Sequence, residues 1–189
     1  ENEMWSILES TASELGVEII STEVTTEQVP IEGDDGDPIP TVIRAETDNG
    51  AIHVRADGEV IYSPPDDGLA LPGEYSFTNS KTTSDEAQKT IVFLSGLYGD
   101  LLNMEKPTAV TWGDYDIDGE YHRRYAVYDS SGNAVEDILN YNLCSVSFVP
   151  NEAGNLFQIS IDNKLAVAEK IGDYPIVSLS EAEQRLLAG

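Results

Sequence analysis

Between Thr41 and Tyr62 three short β-rich runs, Thr41–Glu46, Ala51–Arg55 and Glu59–Tyr62, are separated by Asp48-Asn49-Gly50 and Ala56-Asp57-Gly58. Glycine in each interruption supplies the positive φ that a tight hairpin turn demands, and the β-branched content of the runs suits a pleated, half-buried surface. The segment is therefore expected to be a three-stranded antiparallel meander. A sheet of that kind needs an apolar cover on at least one face, so the rest of the chain is read for that cover.

Upstream, Met4, Ile7, Leu8, Thr11, Ala12 and Leu15 recur at helical spacing, Gly16 follows as a stop, and Val17–Val24 has the composition of a strand. Downstream, Ser84-Asp85-Glu86 offers an N-terminal cap ahead of an apolar stretch, which predicts a second helix running to Asn103. Strands are expected at Thr108–Trp112, Tyr121–Tyr128, Cys144–Val149 and Leu156–Ile161, the last two joined by the hairpin signal Asn151-Glu152-Ala153-Gly154-Asn155. Residues 25–40 and 63–80 are punctuated by Pro, Gly and Asp, the first reading as a surface loop and the second as a linker or long covering loop. The two halves thus share an order of helix, strand, loop and hairpin. The expected fold is α+β, antiparallel sheet with helices packed on one face, as two similar αβββ-type units or one fused domain. Residues 1–80 would form the N-terminal αβββ unit and 81–189 a C-terminal αββββ unit ending in a short helix.

With 35 acidic against 10 basic residues the net charge is −25. Such a chain repels phosphate backbones and anionic lipid over a Debye length of about 8 Å, so nucleic acid and bare membrane are excluded as expected partners. A protein or peptide of basic character is the partner this charge favours. One cysteine rules out an intramolecular disulfide, and no stretch approaches the roughly 18 apolar residues of a membrane span. The chain opens on Glu1-Asn2-Glu3, which reads as a mature form whose leader or anchor has been removed. The expected address is extracellular or on the cell surface, with the membrane reached only through that removed anchor.

Chemistry-bearing motifs are sparse. Asp114-Tyr115-Asp116-Ile117-Asp118-Gly119-Glu120 matches the first half of a calcium loop, but position 12 falls on Tyr125 and the flanks read as strands. The loop with Asp34, Asp35 and Asp37 lacks even the alternating spacing. His53 and His122 lie in separate halves, each in an alternating run, so they do not make a zinc site. Cys144, in Leu143-Cys144-Ser145-Val146, reads as a small side chain in a sheet. No G-x-S-x-G elbow, S-x-x-K pair or phosphate-binding glycine loop occurs. No catalytic residue, metal or cofactor is therefore expected. What stands out is an aromatic stretch with Trp112, Tyr121 and Tyr125, where Tyr121 and Tyr125 share strand parity with Arg123 between them. These four residues are the expected binding face.

The run Tyr174-Pro175-Ile176-Val177-Ser178-Leu179-Ser180-Glu181-Ala182-Glu183-Gln184-Arg185-Leu186-Leu187-Ala188-Gly189 resembles the element in which a strand enters a short helix in extracytoplasmic modules of the PepSY and YycI-like kind, found in Gram-positive bacteria. The preceding order of helices and hairpins is similar to those modules as well. The resemblance implies a non-enzymatic regulatory or protein-binding module at the outer face of the membrane, often in a lipoprotein, and it carries no catalytic residues. The expected function is accordingly protein or ligand binding. A hydrolase acting on wall or sugar polymers and a calcium-stabilised surface module are the alternatives.

Overall fold

The computed structural model describes residues 2–27, 39–75, 77, 82–115 and 121–164. The meander forms as expected. β2 (Ile39–Thr47), β3 (Gly50–Arg55) and β4 (Val60–Ser63) pair antiparallel in sequence, and β1 (Ile19–Glu27) adds to the free edge of β2. In the second half β5 (Pro107–Tyr115), β6 (Tyr121–Asp129), β7 (Val146–Pro150) and β8 (Leu156–Ile161) form a meander of the same order. Antiparallel pairing of β4 with β8 joins the halves into one eight-stranded sheet, β1-β2-β3-β4-β8-β7-β6-β5, whose order reads alike from either edge.

One face of this sheet is apolar from β2 to β6, as the pairing register dictates. Ile43 faces Val54, Val54 faces Val60, Val60 faces Ile161, Ile161 faces Val146 and Val146 faces Val127. Helix α1 (Asn2–Leu15) lays Met4, Leu8 and Ala12 on the first half of that face. Helix α2 (Ser84–Leu97) lays Ala87, Thr90, Ile91 and Leu94 on the second, and all but Thr90 join one hydrophobic cluster with the α1 residues. Full burial of each large aliphatic side chain contributes about 1.5–3 kcal/mol, which is why two short amphipathic helices suffice to fix the sheet.

α2 starts one residue earlier than Ser84-Asp85 suggests, through a capping box. Glu86 Oε2 accepts from Thr83 N–H at 2.8 Å and from the Thr83 hydroxyl at 2.9 Å, while Thr83 Oγ1 accepts from Glu86 N–H at 3.3 Å. The helix also does not continue to Asn103. It breaks at Tyr98, and a short helix α3 (Gly99–Leu102) follows, ending on Asn103 in the left-handed region at φ 46. Gly96 and Gly99 flank the break, and glycine is the weakest helix former after proline.

Residues 64–75 act as a covering loop. Leu69 and Leu156 exchange backbone hydrogen bonds of 2.8 Å, which clamps the loop onto β8. Further on, Tyr75 stacks on Phe93 with ring centroids 4.1 Å apart, and Phe77 packs on Tyr125 at 4.6 Å.

A fourth helix, α4 (Ala134–Leu143), has no counterpart in the sequence reading. It also departs from the expected placement of helices on one face. Its Tyr141 meets Trp112 and Tyr128, which alternate in register with the core-facing Tyr125 and Val127 and therefore stand on the other side of the sheet. Cys144 is not a strand residue but the C-cap of α4, donating its backbone N–H to Asn140 O at 2.9 Å. The acidic loops at 28–38 and 116–120 and the segment from 165 to 189, with the PepSY-like run, lie outside the described residues.

Candidate functional site

The four residues of the expected binding face are not placed alike. Tyr125 is 1 % exposed, inside the core against Phe77. Arg123 shares its side of the sheet, and its Nη1 donates to Ser84 Oγ at the start of α2 at 3.4 Å and to Thr111 Oγ1 on β5 at 3.3 Å. Tyr121 begins β6 opposite Tyr115, and its side chain lies outside what is described. Of the three whose side chains are described, Trp112 alone is on the outer face, with Arg124 directly across and Tyr141 edge-on at 6.0 Å. Tyr125 and Arg123 share one side of the sheet, and that side is the covered one.

Around Trp112 the structure supplies a surface of a different make. Helix α4 turns its polar side inward. Asn140 Nδ2 donates to Asp129 O at 2.8 Å, and Asp137 accepts from Ser131 N–H at 2.7 Å and from the hydroxyls of Ser130 and Ser131. Burial acts to raise the Asp137 pKa, but those hydrogen bonds prevail and hold it below the usual carboxylate range. Asn133 caps the helix by accepting from Val135 N–H at 3.0 Å. The apolar side points out: Val135, Ile138 and Leu139 fall at i, i+3 and i+4 with exposures of 67 %, 62 % and 43 %. Ile138 sits one turn from Tyr141, so the ridge runs on through Tyr141 to Trp112.

A second place with built concavity lies at the seam between the two halves, beside Tyr62 of β4. A cleft of about 450 Å³ opens between the last turn of α1, the β2–β3 turn, the loop after β4 and the α2–α3 break. Its walls are tightly fixed. Tyr62 hydroxyl donates to Asn49 O at 2.8 Å, and Tyr98 meets Tyr62 edge-on with centroids 6.4 Å apart. The loop wall is pinned at Gly68, φ +91, where an added Cβ would lie 2.5 Å from Leu156 O, and Asn151 Nδ2 donates to Asp67 O from the β7–β8 hairpin. Burial, with Tyr62 alongside, pushes the Tyr98 phenol up to about 12, and burial with the Asp48 charge raises Tyr62.

This arrangement has a consequence for stability. The folded protein holds Tyr98 neutral, whereas an unfolded tyrosine ionises near 10.0. Stability is thus fully present below pH 10.0 and falls as pH rises from there towards 12. Urea unfolding at stepped alkaline pH is expected to show that loss in the wild type and a smaller one in Tyr98→Phe. Equal losses would mean that the Tyr98 phenol is not held this way.

Elsewhere, His53 lies on the outer face between Arg44 and Ile61 in register. Burial first and the Arg44 charge second depress its pKa, against the opposing pull of Glu46. No three metal-ligating side chains gather among the described residues, and no described helix is long and apolar enough to cross a membrane. The chain matches no protein-family model, no curated protein and no solved structure.

Proposed function

We propose that this chain is a non-enzymatic binding module that works outside the cytoplasm and docks a protein or peptide of basic character on the ridge formed by α4, Tyr141 and Trp112. The observation that carries the proposal is the inverted helix. An ordinary surface helix hides its apolar stripe, whereas α4 buries none of its residues, spends Asp137 and Asn140 on the protein and offers Val135, Ile138 and Leu139 to solvent. Exposed aliphatic side chains beside an aromatic pair make the kind of centre that protein interfaces use. The charge of −25 selects the partner's sign and raises its encounter rate. Against an acid–base enzyme, the described carboxylates with displaced pKa values, Glu86 and Asp137, are displaced downward by the hydrogen bonds of Thr83, Ser130 and Ser131. A general acid needs the opposite shift.

The test is capture from the parent organism's surface extract by immobilised protein. Wild type is expected to retain a basic partner, less of it as salt rises. The triple change Val135→Ser, Ile138→Ser and Leu139→Ser is expected to cut retention at least tenfold with little change in melting temperature, since those side chains are already in water. Undiminished capture by the triple variant, or turnover of wall fragments by the wild type, would overturn the reading.

A further inference from the structure

The seam cleft is separate from the α4 ridge, and its chemistry points to a ligand of its own. Pockets that hold small groups combine apolar walls with a few polar atoms aimed inward and arise where two structural units meet. This one is formed by both halves of the chain, with Glu14 from α1, Tyr62 from β4, Asp66 from the loop and Tyr98 and Asp100 from the α2–α3 break. The break is what puts Tyr98 there. Its backbone leaves the helical region at φ −108, ψ 27, so its ring meets Tyr62 across the seam.

Two features of the lining choose the ligand. Three carboxylates border the cleft, and no Lys, Arg or His does so among the described residues. The two phenols differ in their commitments: the Tyr62 hydroxyl is used on Asn49 O, whereas the Tyr98 hydroxyl has no partner among the described residues. An acceptor left free on the partly exposed Tyr98 ring, backed by Tyr62 at 3 % exposure and bordered by negative charge, suits an ammonium head, which hydrogen-bonds to oxygen and is drawn to an aromatic face. Leu15, Leu69 and Leu97 give an alkyl stem something to lie on.

We infer that the seam cleft binds an alkylammonium group, with its charged head between Tyr98 and the bordering carboxylates and its stem along the leucines. The same chemistry is presented by a free polyamine and by a lysine side chain of another protein.

Calorimetric titration at fixed ionic strength tests this, with spermidine and Nα-acetyl-lysinamide as probes, the neutral isostere Nα-acetyl-norleucinamide as control and Mg²⁺ as a compact cation. One-to-one binding of an ammonium probe is expected, with no heat from the norleucine analogue. The tighter of the two ammonium probes names the source. Tyr98→Leu and Asp100→Asn are each expected to weaken binding about tenfold or more, whereas Glu23→Gln, which removes one charge from the distant edge strand β1, leaves it unchanged. Should Tyr98→Leu fail to fold, Asp100→Asn against Glu23→Gln decides alone. Equal weakening by Glu23→Gln, or displacement by Mg²⁺ at the same ionic strength, would show only the diffuse attraction of a highly acidic protein and overturn the assignment.

Discussion

Replacing Tyr125 with alanine is expected to lower the unfolding free energy by about 3–5 kcal/mol, the range for deleting a buried aromatic side chain. Tyr125 is among the largest fully buried side chains, with Phe77 packed at a tilt against it, Thr111 beside it on β5 and Phe148 on β7. Its removal would leave a cavity beneath α2 that neighbours on two strands cannot fill without breaking register. For a chain of this size the melting temperature should fall on the order of 10 °C. Trp112→Ala, on the outer face at 39 % exposure, should cost far less stability. Thermal melts of the two variants side by side make the check, and a Tyr125→Ala protein as stable as Trp112→Ala would mean that Tyr125 is not in the core.

The second large effect is expected at Gly50, where alanine should cost about 2–5 kcal/mol, adding backbone strain to overpacking. Gly50 closes the β2–β3 hairpin at φ +108, a conformation L side chains rarely adopt, and a Cβ there would be driven into the Ser63 carbonyl oxygen of the neighbouring strand β4. The atoms that the Cβ meets, Ser63 O and C and Pro64 C, are all backbone, so relief requires moving the end of β4 and with it the seam. Gly16→Ala is the matched control. It also has positive φ, at +66, but nothing lies within 4 Å of the added Cβ. Urea denaturation should therefore show a markedly larger loss for Gly50→Ala than for Gly16→Ala, and equal losses would mean that the close approach to Ser63 does not exist.

These two positions also show what a sequence can and cannot disclose. The Gly50 turn was readable because turn chemistry is local: Asp48-Asn49-Gly50 between alternating runs leaves few alternatives. Tyr125 was half readable. Period-2 alternation states which residues share a side, and Tyr125 does share one with Arg123, but nothing local states which side a helix 40 residues upstream will cover. The seam was invisible for the same reason, since β4 and β8 are set side by side by contacts such as Ser160 Oγ with Glu59 Oε1 at 2.8 Å, far apart along the chain. Helix α4 was missed although its signals are present, Asn133 as a cap with Glu136 three residues on and Val135, Ile138 and Leu139 in helical spacing. A ten-residue helix offers less than three turns of periodicity, and the alternation of Leu143 to Val149 pulled Cys144 into a strand although only Val146 onward is one. The Tyr62–Tyr98 pair could not have been found locally at all, because the two residues come from different halves.

Binding through the α4 ridge is most directly tested by amide hydrogen exchange on the protein alone and with its captured partner. The expected result is slowing of exchange across Ala134–Leu143 and at Thr111–Gly113, with the β1 edge and the seam loop 64–70 unchanged. Slowing elsewhere, with Ala134–Leu143 exchanging as fast as in the free protein, would contradict it.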